Sequence, residues 1–385
     1  MSQFIVLPKF LEVGEGALNR AGDIAIQLGC KRVMIVSDRV MASLGQVEHI
    51  REIISQAGLE ADVFTDTMPE PTETSILPAV TQAIDGNYDG IVALGGGSVI
   101  DSAKAIALLA QYRGRIRDYS VPNIVTSPIM PLIAIPTTAG TGSEVTRMTI
   151  ITDESNDEKL LCMGPGLIPS AAIIDFSLTM TAPARITADT GIDALTHAIE
   201  AYVSGKSGLF TDQHAILAMK LIAPNLREAV NNPENKRAKE QMMLGATLAG
   251  MAFSNASVAL VHGMSRPIGA HFHVPHGMSN AMLLPTVTEY SIPAAKERYA
   301  DCARAMGVAD TSMSDDGAVA LLLEELKQIN KDLSVPSMSE FGIDKQAFWS
   351  SLEVMSEQAL ASGSPNNNPR VPDKETMIEL YKAAW

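Results

Sequence analysis

Asp193 and His197 stand four residues apart in Gly191-Ile-Asp-Ala-Leu-Thr-His197, and His262 and His276 follow within one short stretch further along the chain. An i,i+4 pair lies on one helical face with Cβ atoms roughly 5–6 Å apart, close enough for both side chains to hold one ion. His262 belongs to a second helical run, and His276 is expected in the loop beyond it, Val274-Pro-His-Gly277. One carboxylate and three imidazoles suit iron(II), zinc or another first-row divalent metal, whereas calcium or magnesium calls for an oxygen-rich set. An Asp-x-x-x-His pair alone occurs on many helices without any ligand role. Here four of the seven histidines, His262, His271, His273 and His276, fall between Val261 and Gly277, and that clustering favours a metal site. His49 and His214 read as surface or helix-face residues.

These side chains need a scaffold, and the hydrophobic pattern supplies two different ones. Up to about residue 180, short β-branched runs alternate with helical stretches, the pattern of an α/β unit with a largely parallel sheet. The clearest strands are 32–37, 61–64, 90–94, 132–135 and 172–174. Past Pro183 the strands stop, and 212–230, 233–253, 293–306, 315–333, 344–362 and 373–385 read as helices, several opening on Asp or Pro. A chain of 385 residues exceeds the usual size of one hydrophobic core. Two domains are therefore expected, an α/β domain over 1–180 and an all-helical domain over 181–385.

The first half also carries anion-binding signals. Gly95-Gly-Gly-Ser98 follows a strand and precedes a helix, where bare backbone N–H groups and the helix N-terminus together cradle a phosphate. A tight turn would use the same glycines. Pro136-Thr-Thr-Ala-Gly-Thr-Gly-Ser-Glu144 again follows a strand and adds hydroxyls, so two such loops at strand ends favour a nucleotide. Asp38, after the strand 32–37, could accept hydrogen bonds from adenine-ribose hydroxyls and repel a 2′-phosphate, which favours NAD over NADP; it could equally be an ordinary turn residue. Because Asp38 precedes the glycine loop instead of following it by about 20 residues, the unit is Rossmann-like in a non-standard order.

Composition removes several other classes. A net charge of −15 argues against nucleic acid or an anionic membrane as partner. No apolar run approaches the roughly 20 residues of a membrane span, and the first 14 residues lack the basic start and cleavage site of a secretory signal. Cys30, Cys162 and Cys302 are odd in number and far apart, which fits buried thiols in a reducing cytoplasm better than a disulfide framework or a thiolate zinc site.

Taken in order along the chain, these motifs resemble the iron-containing (group III) alcohol dehydrogenases, relatives of lactaldehyde reductase and 1,3-propanediol dehydrogenase. The resemblance runs over nearly the whole chain and rests on the glycine loop, the 136–144 segment, Thr190 to Tyr202, Val261-His-Gly-Met264 and Pro275-His-Gly277. It implies Asp193, His197, His262 and His276 as metal ligands, and Asp38, Gly96, Gly97, Ser98, Thr137, Thr138, Thr141 and Lys159 as dinucleotide contacts. It also implies an N-terminal nucleotide domain, a C-terminal helical domain carrying metal and catalysis, and assembly as a homodimer or larger homo-oligomer. The chemistry implied is hydride transfer between a small alcohol or aldehyde and NAD(H), with Fe2+, Zn2+ or another divalent ion as Lewis acid. Competing readings are a metal- and NAD-using lyase like dehydroquinate synthase, which the intact Asp-His-His-His set disfavours, and a metal-dependent hydrolase that ignores dinucleotides.

Two positions depart from the family pattern. Arg266 stands where many relatives carry a second histidine linked to proton relay, and an arginine stays protonated at any working pH. It is a candidate clamp for an anionic or strongly polar substrate group, the alternatives being an ion pair with a nearby Asp or Glu or contact with the cofactor pyrophosphate; Pro267 argues against helical geometry there, and His271, His273, a ribose hydroxyl or water would then move the proton. Glu70 stands where some relatives have asparagine beside the nicotinamide nucleotide.

Overall fold

The computed structural model describes residues 2–155 and 158–385. They fall into two compact units, Ile5–Thr181 and Ala182–Trp385, the latter including the N-terminal residues up to Phe4.

The first unit is built on a six-stranded sheet of β1 (Phe10–Val13), β2 (Arg32–Val36), β3 (Glu60–Phe64), β4 (Gly90–Gly95), β5 (Leu132–Pro136) and β8 (Ala171–Ile174). Every pair is parallel, in the order β1-β8-β5-β4-β2-β3. An all-parallel sheet needs both faces covered, and successive side chains point to opposite faces. The core divides accordingly. Met34, Val36, Ile91, Ala93, Leu132 and Ala134 pack into one cluster with the helix Gly97–Tyr112, while Val33, Ile35, Val92, Leu94, Ile133 and Ile135 pack into another with Ala21–Gln27 and Gln46–Gln56. After β3 the chain returns to the other side of β2 to form β4, so the connections from β2 and β4 run in opposite directions. That switch point, at the carboxyl ends of parallel strands, is where open α/β sheets bind ligands.

All five strands expected from the sequence are present. The edge strand β1 was not among them, nor was the antiparallel hairpin of β6 (Met148–Asp153) and β7 (Glu158–Met163). Cys30, Cys162 and Cys302 are all free and buried.

The regular elements of the second unit are all helices among its described residues. The expected helices at 212–230 and 315–333 lie close to Leu209–Asn231 and Asp315–Asp332, and the one at 233–253 corresponds to Lys236–Ala256. Asp344 and Asp373 are caps outside their helices, each accepting the N–H three residues on, from Ala347 and Thr376. The 293–306 segment is broken into a 3-10 turn, Ile292–Ala294, and a helix, Lys296–Ala305. Glycines let these helices close up: a Cβ at Gly245 would lie 2.6 Å from Ile222, and one at Gly191 2.4 Å from Leu226. No single helix among the described residues is long and apolar enough to cross a membrane; Lys236–Ala256 with Leu260–Phe272 passes by length and composition only as a pair bent by 102°.

Candidate functional site

Asp193 and His197 sit on the helix Ala184–Val203, one turn apart, and His262 on Leu260–Phe272. His276 is not in a loop. It is the first residue of the helix His276–Ser291, with Pro275 at the N-cap, because the extended Val-Pro segment ends the preceding turn and leaves helical geometry available from His276 onward. Gly277 makes the docking possible, since a Cβ there would lie 2.3 Å from the Asp189 carbonyl on the helix that carries Asp193.

The imidazoles gather round one carboxylate oxygen. From Asp193 Oδ1 the Nε2 atoms of His262, His276 and His197 lie at 3.4, 3.7 and 3.9 Å. Asp193, His262 and His276 each offer a ligand atom within 4.8 Å of the others. His197 stands beside this group of three, its ring stacked between Phe253 at 4.1 Å and His262 at 4.4 Å. Asp193, His197 and His262 are buried, whereas the His276 side chain is 44% exposed and marks the open side.

Two further residues complete the cluster, and neither was singled out from the sequence. Glu200, three residues after His197, lies 2.6 Å from His262 Nδ1 and accepts the backbone N–H groups of Ala259 and Val261 at 2.9 and 2.6 Å. A carboxylate at Nδ1 holds the proton there and turns the Nε2 lone pair toward Asp193, the arrangement found behind metal-bound histidines. Asn280 donates to Asp193 Oδ1 at 2.7 Å, and the same amide nitrogen lies 3.2 and 3.3 Å from Nε2 of His262 and His276. One carboxylate oxygen and two imidazole nitrogens thus converge on one point, and once Nε2 of each ring gives up its proton they form a donor set of the kind a cation requires. A signal for both existed: positions 193, 197 and 200 recur at i, i+4, i+7, and Asn280 is i+4 from His276.

The electrostatics agree with a cation site. Burial acts to raise the Asp193 carboxyl, but the neighbouring imidazoles, His197 foremost, hold it well below the usual carboxylate range. Burial alone would lower His262; Glu200 and Asp193 outweigh it and push the imidazole up to about 9. A proton held so firmly between two carboxylates marks a position where a divalent ion competes with it. The residues fit an ion of the iron or zinc type, with Asp193, His262 and His276 as its core donors.

In the α/β unit, the carboxyl ends of β5, β4 and β2 are neighbours in the sheet, and they carry the 136–144 segment, the glycine loop and Asp38 respectively. Gly96 caps the helix that Gly97 and Ser98 begin. The two loops touch, for a Cβ at Gly97 would fall 2.7 Å from the Thr141 methyl group and one at Gly96 3.5 Å from Thr138 Oγ1. Thr137 N–H donates to the Gly95 carbonyl at 3.0 Å. Below them lies Lys104, fully buried, which donates to Ser143 Oγ and to the carbonyls of Thr146 and Met148, while Asp101 accepts from Ser143 Oγ at 2.6 Å. This polar knot pins the second loop to the helix that follows the first. Asp38 is half-buried and caps the short helix Arg39–Ser43, its Oδ1 accepting from Met41 N–H at 2.8 Å. Lys159, on β7, pairs with Glu70 at 3.4 Å, so the two positions noted separately in the sequence are joined.

Arg266 lies one turn after His262 on a helix that continues through Pro267 to Phe272, so the break expected at that proline does not occur. His271 and His273 end this helix on its exposed side. His271 contacts Gln358, and His273 adopts the left-handed C-cap conformation.

Comparison with known proteins places these features in company. The family model described as iron-containing alcohol dehydrogenase matches residues 8–176, and that for the C-terminal part of the Fe-containing alcohol dehydrogenase family matches 187–385. The chain is 36% identical to an NAD-dependent methanol dehydrogenase of Bacillus methanolicus and 35% identical to a lactaldehyde reductase of Escherichia coli (strain K12), with 100% of each chain covered in both cases. A crystal structure of a 1,3-propanediol oxidoreductase superposes with a TM-score of 0.95 at 33% identity, covering 100% of both chains.

Proposed function

The chain belongs to the iron-containing alcohol dehydrogenase family, and from that premise we propose that it is a metal-dependent, NAD(H)-linked alcohol dehydrogenase and aldehyde reductase acting on small molecules. The observation that carries this reading is the convergence of Asp193, His262 and His276 within 4.8 Å, backed by Glu200 on His262. His197 is the fourth donor in this proposal, brought in by a small shift toward the same carboxylate. A divalent ion held there supplies Lewis-acid polarisation of the substrate oxygen, and NAD(H) supplies the hydride acceptor or donor.

The chain's own residues do the rest. Asp193 contributes the negative charge of an otherwise neutral donor set, Glu200 fixes the tautomer of His262, and Asn280 holds the carboxylate in place. Asp38, Gly96, Gly97, Ser98, Thr137, Thr138, Thr141 and Lys159 make up the dinucleotide site, with 1–180 as the cofactor domain and 181–385 as the metal and catalytic domain. Glu70, paired with Lys159, orients that lysine. The partly exposed His276 face is the entrance for substrate and for the water that carries the reaction's proton away. Three free, buried cysteines support a cytoplasmic location, and a homodimer or larger homo-oligomer is the proposed assembly.

The test is to load the purified protein anaerobically with iron, zinc or manganese in turn and assay a panel of alcohols and aldehydes for NAD+ reduction and NADH oxidation. His276→Ala should lose both metal and turnover while still binding NADH in titration. Full metal occupancy with a near-normal rate in that variant would overturn the ligand assignment.

A further inference from the structure

Arg266 is a cation without an anion. Its guanidinium carries five N–H donors, yet its one hydrogen bond is to a neutral hydroxyl, Ser364 Oγ, at 3.2 Å. Among the described residues no carboxylate comes within ion-pair distance of it. Other arginines of the helical unit are treated differently: Arg227 is held by Glu325 and Asp332 at 2.7 and 2.6 Å, and Arg298 by Asp212 at 2.8 Å. Enclosure by protein draws Arg266 below the usual arginine range, with the charge of Glu200 opposing that effect. Charges taken out of water are normally paired, and an unpaired one is costly. The residue is nonetheless only partly buried, which leaves part of it open to solution.

Its position ties the cation to the metal cluster. Because the helix Leu260–Phe272 is unbroken, Arg266 follows His262 by four residues and shares its face. Ser364 belongs to the turn Ser364–Asn367, whose Pro365 packs so closely on Gly263 that a Cβ there would lie 2.7 Å away. The turn is thereby fastened beside His262, and its hydroxyl is held against the guanidinium.

We propose that Arg266 and Ser364 form an anion subsite next to the metal cluster, and that the preferred substrates are alcohols or aldehydes bearing a carboxylate, such as short hydroxy acids and their semialdehydes. The planar fork of arginine matches a carboxylate bidentately, which a histidine at this position could not do. This rests on the alcohol dehydrogenase reading above and narrows its substrate class.

The experiment compares a semialdehyde with the neutral aldehyde of equal chain length, on metal-loaded full-length protein at saturating NADH. Wild type should favour the anion in kcat/KM, and Arg266→Ala should reduce the ratio of anionic to neutral kcat/KM by about 10- to 100-fold. Arg266→His and Ser364→Ala should lower the same ratio less. A second measurement needs no turnover: calorimetric titration with succinate should show binding to wild type weakened by a similar factor in Arg266→Ala, each variant's fold being checked by its Tm. Turnover of the neutral aldehyde with an unchanged ratio in Arg266→Ala would overturn the subsite while leaving the dehydrogenase reading intact. A raised KM for NADH with an unchanged ratio would assign Arg266 to the cofactor instead. No turnover of either aldehyde by metal-loaded wild type would overturn both.

Discussion

Replacing Glu200 by glutamine changes one atom's chemistry at the back of the metal cluster and should be felt at its front. The wild-type carboxylate accepts three N–H groups: those of Ala259 and Val261 and the Nδ1–H of His262 at 2.6 Å. Glutamine has one acceptor oxygen and one NH2 group, so it cannot satisfy all three. With its oxygen in the Oε1 position, on Val261 N–H, its NH2 replaces the Oε2 that Ala259 N–H and His262 share, so Ala259 N–H loses its acceptor and His262 Nδ1 must itself accept. The imidazole proton moves to Nε2, the atom 3.4 Å from Asp193 Oδ1, and blocks the lone pair meant for the ion. Losing such a support typically weakens metal binding about 10- to 100-fold, or about 1.4–2.8 kcal/mol. Chelator competition on wild type, Glu200→Gln and Glu200→Asp would measure it, with the d–d spectrum of the cobalt-substituted protein reporting donor geometry. Aspartate keeps the charge and should retain part of the affinity. Metal affinity within twofold of wild type in Glu200→Gln, with an unaltered cobalt spectrum, would refute the tautomer argument.

Three other outcomes are expected, at two residues. Asp38→Asn keeps the helix cap but removes the charge, so it should raise the ratio of NADP to NAD efficiency at least about tenfold, since repulsion at about 4–5 Å in a surface-like dielectric is a few kcal/mol; Asp38→Gly should do the same with some loss of local order, and an unchanged ratio in both would remove Asp38 from the ribose. Lys104, lowered by burial from 10.5 to about 8, holds fewer protons when folded than unfolded between those two values, so stability should rise with pH across that window, by up to about 3 kcal/mol. Denaturant unfolding from pH 7 to 10.5 should show this gain in wild type relative to Lys104→Met, and parallel profiles for the two proteins would contradict it. Lys104→Met should also raise the KM for NAD, because the lysine ties the 136–144 segment to the helix Gly97–Tyr112.

Much of this molecule was legible in the sequence wherever the information is local. The Asp193–His197 pair needs only the pitch of one helix, and the glycine loop needs only a β-branched run before it and a helix after it. The alternation of strand and helix stopping at Pro183 marks the change from sheet to helical unit. What local patterns could not reveal was convergence. His276 opens a helix instead of closing a loop, and it meets Asp193 only because Gly277 lets that helix touch the Asp189 carbonyl. Glu200 and Asn280 were on the correct helical faces, but a face has no partner until another helix docks against it. Arg266 shows the opposite error. Pro267 is a strong local argument against a helix, yet the packed helix passes through it, since one missing N–H bond is a small term beside the burial of a whole helical face. Sequence by itself therefore determined which residues could do chemistry and which elements carry them, through torsional periodicity and side-chain type. Tertiary structure alone decided which of those side chains meet, because close approach depends on contacts between segments distant in the chain, and on the few positions where the absence of a Cβ lets the segments touch.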